Sequence, residues 1–260
     1  MILFFDVDGT LWDYKNYIPK SAIEGIKKAQ QNGHKCFINT GRARAFVTHE
    51  DLLGIGFDGI VSACGCMIEY DGRTIFNRLI SPEDCLRTVE TTRKYGFKPI
   101  LEGPTHLYME REEYIGDMFG EKVMDEMGDM LRGIDECWGK WEINKLSVTC
   151  NPDPEITQQC YEELSDIYNY LIHTPTICEM VPRGFSKGTG IRKVCELLGT
   201  DPGDTMAFGD SVNDREMLED AGIAIVMGRA PEHVKAMADH VTDNLEDDGI
   251  WNALKKYDLI

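Results

Sequence analysis

The sequence predicts an α/β fold in which a doubly wound parallel sheet is interrupted by an inserted α+β domain. Three observations predict it. Short apolar runs alternate with helical patterns from the N-terminus, the same alternation returns near the C-terminus, and residues 82–182 between them differ in character. Continuous apolar runs are typical of parallel strands buried on both faces, and their alternation with helices is typical of α/β sheets.

The first part of the chain supplies the beginning of the parallel sheet. Ile23, Ile26 and Ala29 form an apolar stripe at three-residue steps, which predicts a helix that ends before Gly33. Asp71-Gly72 lies between two short strand-like runs and is a strong hairpin signal. The predicted elements are a strand at 2–5, a helix at 20–31, strands at 36–38 and 60–63, and a hairpin at 67–76.

The middle of the chain follows a different pattern, in which prolines separate longer helical stretches from isolated strands. We expect helices at 83–95, 111–131 and 153–170 and strands at 97–102, 144–150 and 176–181. The first pattern then resumes, with helices at 188–198, 214–221, 231–238 and 248–257 and strands at 206–208 and 222–227. The expected domains are therefore a core at 1–81 and 183–260 and an inserted α+β domain at 82–182.

Charge and cysteine usage exclude several classes of protein. With 27 Lys plus Arg and 45 Asp plus Glu the net charge is −18, which argues against binding to nucleic acid or to an anionic membrane surface. The nine cysteines are odd in number and scattered, and the start of the chain has no signal-peptide pattern. We therefore expect a cytoplasmic protein with reduced cysteines. The close pair Cys64 and Cys66 has no zinc-spaced partner pair.

Acidic and hydroxyl side chains directly follow several predicted strands. Asp6 and Asp8 follow the first strand, Thr40 follows the second, and Asp210 and Asp214 follow a later one. A single aspartate in a loop is usually a turn or cap residue. Ligands of open parallel sheets bind beyond the carboxyl ends of the strands, so the recurrence there predicts one common site. Repulsion between the carboxylates calls for a cation such as Mg²⁺, or raises the pKa of one carboxyl, and both can hold together.

Four segments in this order resemble the motifs of the haloacid dehalogenase superfamily of phosphohydrolases. The chain is similar to the Cof-type branch, in which a cap domain is inserted between the second and third motifs. The resemblance covers the whole chain, by motif in the core and by position alone in residues 82–182. The four segments are Asp6-Val7-Asp8-Gly9-Thr10-Leu11, Thr40-Gly41-Arg42, Lys187 within 184–188, and Gly209-Asp210-Ser211-Val212-Asn213-Asp214.

The resemblance implies a role for each motif residue. Asp6 would attack phosphorus and form an aspartyl-phosphate, and Asp8 would act as general acid and then as general base. Asp210 would bind Mg²⁺ together with Asp6 and the backbone carbonyl of Asp8, while Asp214 would bind it through water or orient Lys187. The implied phosphate-binding residues are Thr40, Gly41, Arg42, Lys187 and Asn213.

Several of these residues also have ordinary structural interpretations. Thr40 is suited to capping a helix, Arg42 to covering an acidic surface, and Lys187 to a solvated position before a helix. Trp12, just beyond the first motif, is interpreted first as packing in a mobile loop and second as a substrate contact.

The expected function is hydrolysis of small phosphate monoesters, sugar phosphates among them, by a Mg²⁺-dependent, monomeric or homodimeric phosphatase. Two alternatives stay open: a phosphotransferase or mutase that uses the same aspartyl-phosphate, and a catalytically idle module that binds phosphorylated ligands. The chain departs from the family pattern at Cys64 and at Arg229, where the family often has asparagine. Neither change touches the phosphoryl-transfer residues.

Overall fold

The computed structural model describes residues 1–260 and divides into two compact units. The first unit comprises 1–41, 48–76 and 185–260, and the second comprises 42–47 and 77–184. The core expected from the sequence includes 42–47, 77–81 and 183–184, whereas the structure groups all three segments with the second unit.

The first part of the chain forms the elements that its apolar runs predict, including the hairpin. They are β1 (Ile2–Phe5), α1 (Lys20–Gln31), β2 (Lys35–Asn39), α2 (Glu50–Leu53), β3 (Gly59–Ser62), β4 (Met67–Tyr70) and β5 (Arg73–Asn77).

The second unit is built around a sheet of its own, with helices from the same stretch of chain. Its elements are α3 (Pro82–Lys94), β6 (Lys98–Glu102), β7 (Leu107–Tyr108), α4 (Met118–Met127), β8 (Leu131–Arg132), β9 (Lys145–Thr149), α5 (Pro154–Glu163), β10 (Tyr168–Thr174) and β11 (Ile177–Pro182). The strand order is β10-β11-β9-β6-β7-β8. All the pairs are antiparallel except β7 with β8.

The last part of the chain returns to the first unit. Its elements are α6 (Lys187–Leu198), β12 (Thr205–Gly209), α7 (Arg215–Asp220), β13 (Ile223–Val226), α8 (Glu232–Lys235), β14 (His240–Val241) and α9 (Gly249–Lys256). The sheet order is β14-β13-β12-β1-β2-β3-β4-β5. Strands from β14 to β3 are parallel, and β4 joins β3 antiparallel. The predicted α/β fold with a parallel sheet is confirmed.

Strand β1 lies at the centre of this sheet, between β2 and β12. All four of its residues are buried, which explains why its sequence is continuously apolar rather than alternating. Phe4 lies 5.5 Å from Phe37 of β2, and Phe5 stacks at 4.6 Å on Phe208 of β12, as measured between ring centroids. This aromatic packing fixes the three strands whose carboxyl ends carry the polar residues discussed below.

Two predicted helices in the middle of the chain are wrong in part. The helix expected at 153–170 ends at Glu163, and residues 168–174 form β10 instead. Aromatic and β-branched residues favour a strand there. The strand is stabilised by backbone pairing with β11, which cannot be predicted from a short apolar run alone. The helix expected at 111–131 is broken into shorter pieces, since Gly116 adopts a positive φ and Asp117 caps a new helix start.

The core of the second unit provides a test of the packing. Leu146 of β9 is fully buried and lies in register with Leu101 of β6 and Met180 of β11, which are also fully buried. We expect Leu146→Ala to lower the free energy of unfolding by about 2–5 kcal/mol, because truncation leaves a cavity that rigid neighbours cannot fill.

Chemical denaturation monitored by circular dichroism measures this change. Ile172→Ala is the matched control in the same unit, because Ile172 is 65% exposed, and we expect a change of less than about 1 kcal/mol there. An equal effect of the two substitutions would contradict the assigned core.

Candidate active site

The site begins where β1 and β12 end side by side. Phe5 lies in register with Phe208, and the backbone N–H of the next residue, Asp6, donates to the carbonyl oxygen of Phe208 at 3.0 Å. Asp210 directly follows the last residue of β12. The parallel register thus brings Asp6 and Asp210 to one edge of the sheet, as the sequence analysis expects.

Lys187 is the basic residue of the site, and it is almost completely buried, with 1% of its surface exposed. Its ammonium nitrogen lies 2.6 Å from Oδ1 of Asp6 and 2.6 Å from Oδ1 of Asp214. Burial of a lysine is tolerated only with such partners. The solvated position that sequence patterns alone would suggest for Lys187 is therefore wrong.

The backbone of Lys187 is held as firmly as its side chain. Ser186 caps helix α6, with its hydroxyl accepting the N–H of Thr189 at 3.2 Å. From β2, Nδ2 of Asn39 donates to the carbonyl oxygen of Lys187 at 3.0 Å. Asn39 is fully buried, and its contribution was missed, because only the packing of α6 on the sheet reveals it.

Asp214 connects Lys187 to the loop after β12. Its Oδ2 accepts the backbone N–H of Asp210 at 2.9 Å and that of Ser211 at 3.0 Å, while Oδ1 faces Lys187. Asn213 lies at the edge of the same group, with Oδ1 3.4 Å from the Lys187 nitrogen. Because both Asp214 oxygens are engaged, the geometry favours the alternative in which Asp214 orients Lys187.

The buried charges strongly perturb one another. Burial and the repulsion of Asp214 raise the pKa of Asp6 well above its ordinary value, although Lys187 acts in the opposite direction. Burial and the same repulsion raise the pKa of Asp210 to about 7. Burial by itself would lower the pKa of Lys187, but attraction to Asp214 and Asp6 outweighs it and raises that pKa. With all three carboxylates ionised, the group would carry more negative charge than one ammonium can balance.

The turn after β1 is shaped around Asp210. The hydroxyl of Thr10 donates to Oδ1 of Asp210 at 3.0 Å. Gly9 has a φ of +89°, and a Cβ at this position would collide with the Asp210 carboxylate. Gly9 is thus required both by its backbone conformation and by the close approach of Asp210.

Asp8 is exposed, unlike Asp6, but a hydrogen bond restrains its side chain. The indole Nε1 of Trp12 donates to Oδ1 of Asp8 at 3.0 Å. Trp12 is itself 3% exposed, so its indole is packed, as the first of the two interpretations expects. A donor four residues after an aspartate is visible in the sequence, but the tight turn that joins the two side chains is not.

Thr40 is held at the end of β2 by two backbone hydrogen bonds. Its N–H donates to the carbonyl oxygen of Val61 at 2.9 Å, and its carbonyl accepts from the N–H of Cys64 at 3.1 Å. Cys64 is buried and adopts a φ of +52°. Gly41 follows Thr40 in the first unit. The segment in which the chain departs from the family pattern is therefore hydrogen-bonded to Thr40.

The two arginines singled out by sequence have acidic partners. Arg42 falls in the second unit, where its guanidinium lies 3.1 Å from Glu126 and over the ring of Phe46. Arg229 is exposed and pairs with Glu246 in the first unit. The Arg229 side chain is 73% exposed, whereas that of Arg42 is only 13% exposed.

A separate group of charged side chains, of which Lys145 and Glu102 are buried, lies on the sheet of the second unit. The ammonium of Lys145 lies 3.4 Å from Glu102 and 2.5 Å from Glu179, and His173 reaches the other oxygen of Glu179 at 2.9 Å. Burial would raise the pKa of Glu179, but Lys145 and His173 outweigh it and lower that pKa to about 2. Ser147 completes the group through its hydroxyl, which donates to Glu102.

Asp6, Asp210 and Asp214 form the one acidic cluster whose ligand atoms all lie within 4.8 Å of one another. The carboxylate of Asp8 is not part of it. No disulfide joins the nine cysteines, and no helix has both the length and the apolar character that crossing a membrane requires.

The ion network provides a test of this geometry. We expect Lys187→Met to lower the free energy of unfolding by about 3–5 kcal/mol, because it leaves buried carboxylates without their ammonium partner. Lys193→Met is the matched control on the same helix, since Lys193 is partly exposed, with an ion pair to Glu196 and its ammonium 5.6 Å from the ring centroid of Phe76. A change of less than about 1 kcal/mol is expected for this control.

Both variants are compared with the parent by denaturant titration without divalent cations. Equal stability of the Lys187→Met variant and the parent would contradict the buried network.

Comparison with known proteins identifies the family of this chain. The chain matches the haloacid dehalogenase-like hydrolase family over residues 3–254. It is 30% identical over 264 residues to a Bacillus subtilis protein named "Putative phosphatase YkrA", covering 100% of this chain and 98% of that one.

Two solved structures resemble the whole chain. The sugar phosphatase BT4131 of subclass IIB has a TM-score of 0.83 and 26% identity, covering 100% of this chain and 99% of that one. The phosphatase BT1666 from Bacteroides thetaiotaomicron has a TM-score of 0.84 and 28% identity, covering 100% and 95%. This chain therefore belongs to the haloacid dehalogenase-like hydrolases, in their Cof-type branch, and is an enzyme of the phosphatase class.

Proposed function

We propose that the enzyme hydrolyses small phosphate monoesters with the help of Mg²⁺ and through an aspartyl-phosphate on Asp6. One observation carries the proposal: Lys187 is buried between Asp6 and Asp214, with Asp210 beside them at the carboxyl edge of the sheet. Phosphoryl transfer through a covalent intermediate uses a carboxylate nucleophile and a fixed cation beside it that stabilises the charge of the transition state.

The residues of the cluster fit a magnesium ion. Three carboxylates face one ammonium, and the raised pKa values of Asp6 and Asp210 express the cost of holding that negative charge without a further cation. Carboxylate and carbonyl oxygens are the ligands that Mg²⁺ prefers. Asp6, Asp210 and the backbone carbonyl of Asp8 would hold the ion directly. Asp214 would do so only through water, because both its oxygens are engaged.

When bound, Mg²⁺ supplies positive charge that offsets the carboxylate repulsion and neutralises charge on the phosphoryl oxygens. The remaining chemistry belongs to the chain. A carboxylate oxygen of Asp6 attacks phosphorus as the bond to the leaving oxygen breaks, and Asp8 gives that oxygen a proton. Asp8 then takes a proton from water, which attacks phosphorus and releases Asp6 and inorganic phosphate.

Charge on the transferring phosphoryl group requires several donors at once. Lys187 supplies the buried ammonium, and we assign the Thr40 hydroxyl, the Gly41 amide and Asn213 to the remaining phosphoryl oxygens. We assign Arg42 a smaller role in binding the phosphoryl group, since it pairs with Glu126 in the second unit.

The substrate class is proposed from the relatives. One solved structure that resembles the whole chain is a sugar phosphatase, which favours sugar phosphates and related metabolites. We propose that residues 82–182, which lie within the second unit, are the inserted cap domain of this family.

We expect phosphate release from a panel of sugar and nucleotide monophosphates in the presence of Mg²⁺ and its loss in EDTA. Asp6→Asn removes the nucleophile and should lower kcat by about 10³-fold or more. Asp51→Asn is the control, because the Asp51 side chain is 80% exposed, and its activity should equal that of the parent. A colorimetric phosphate assay measures all three proteins.

The other results each have a definite meaning. Release that persists in the Asp6→Asn variant would contradict the proposed nucleophile. Phosphate transfer that requires an added acceptor sugar would identify a phosphotransferase. Binding of panel members without turnover or chelator sensitivity would identify an idle binding module.

A further inference from the structure

Trp12 occupies an unusual position for a tryptophan. It lies in the turn directly after β1, yet only 3% of its surface is exposed. The turn is closed by backbone hydrogen bonds, since the N–H of Trp12 donates to the carbonyl of Val7 at 3.1 Å and the N–H of Gly9 donates to the carbonyl of Trp12 at 3.0 Å. The edge of His49 packs against the indole ring at a centroid distance of 5.4 Å. The ring is therefore fixed on several sides.

The fixed indole is directed at Asp8. Its Nε1–H donates to Oδ1 of Asp8 at 3.0 Å, and the two residues also form an isolated β-bridge. An exposed aspartate side chain ordinarily samples several rotamers, and ordering it has an entropic cost. Here a rigid, buried donor orders it in advance.

We infer that Trp12 is a positioning residue that selects which oxygen of Asp8 exchanges protons with the substrate. The inference rests on the proposed function, in which Asp8 is the general acid and then the general base. Trp12 donates to Oδ1, and hydrogen-bond chemistry then assigns the proton of the acid form to Oδ2.

The assignment of the two oxygens follows from hydrogen-bond chemistry. An indole N–H can donate but cannot accept, and the carbonyl oxygen of a protonated carboxyl is a better acceptor than its hydroxyl oxygen. The proton of the acid form is thus favoured on Oδ2, and the contact with Oδ1 persists when the group is ionised.

The proton balance is the same in both steps of the reaction. As the bond from phosphorus to the leaving oxygen breaks, the Oδ2 proton passes to that oxygen and an electron pair stays on Oδ2. The same pair then accepts a proton from the attacking water. One orientation of Asp8 therefore serves both steps.

Trp12→Phe tests the inference, because it removes the N–H and keeps an aromatic ring. The readout is the ratio of kcat/KM for an alkyl sugar phosphate to kcat/KM for p-nitrophenyl phosphate. An alkoxide leaving group depends on proton donation, whereas p-nitrophenolate departs readily as the anion. We expect this ratio to fall by about tenfold, the effect of one lost hydrogen bond to a charged group. A ratio measured on one protein is independent of the folded fraction.

Three companion variants make the result decisive. Trp251→Phe removes an indole N–H in helix α9 and should leave the ratio unchanged. Trp12→Leu is a second variant without the donor and should repeat the fall. In the Asp8→Asn background, adding Trp12→Phe should have no further effect, because the oriented group is gone.

The outcomes separate this inference from the proposed function. A Trp12→Phe variant that loses activity equally on both substrates would show that Trp12 only packs, and would overturn the inference. An Asp8→Asn variant with an unchanged ratio would overturn the general-acid role itself. A fall in both single variants, without further loss in the double variant, would support the inference.

Discussion

The ammonium of Lys187, buried between the carboxylates of Asp6 and Asp214, is the interaction on which the site depends. It joins the end of β1, the start of α6 and the loop after β12, which are far apart in the sequence. Removing the ammonium would leave adjacent carboxylates in a region of low dielectric, where repulsion is strong. The cap of α6 and the support from Asn39 are understandable as devices that hold this one lysine in place.

Much of the site was predictable because the order and direction of parallel strands determine where the residues that follow them lie. Residues that directly follow adjacent parallel strands meet at one edge, so Asp6 and Asp210 could be brought together from the sequence. Contacts that depend on side-chain packing could not be predicted. The donors from Thr10 to Asp210, from Asn39 to Lys187 and from Trp12 to Asp8 are visible only once the chain is folded.

The fold shows the same division between pattern and context. Continuous apolar runs identified the strands of the parallel sheet, whereas the edge strand β10 was taken for the end of a helix. A short amphipathic run is compatible with the periodicity of a helix and with that of a strand. Pairing with the partner strand β11 determines that this run is a strand. Residues 42–47 gave no sequence signal of belonging to the second unit, because their assignment depends on tertiary contacts alone.

The central claim, that Asp6 receives the phosphoryl group, is tested most directly by rapid-quench peptide mass spectrometry during the first turnover. The enzyme is mixed with Mg²⁺ and a sugar phosphate that it hydrolyses, quenched in acid and digested. We expect one added phosphoryl group on the peptide that contains Asp6, appearing before free phosphate and absent from the Asp6→Asn variant. Turnover with no such peptide, or with the phosphoryl group on another residue, would contradict it.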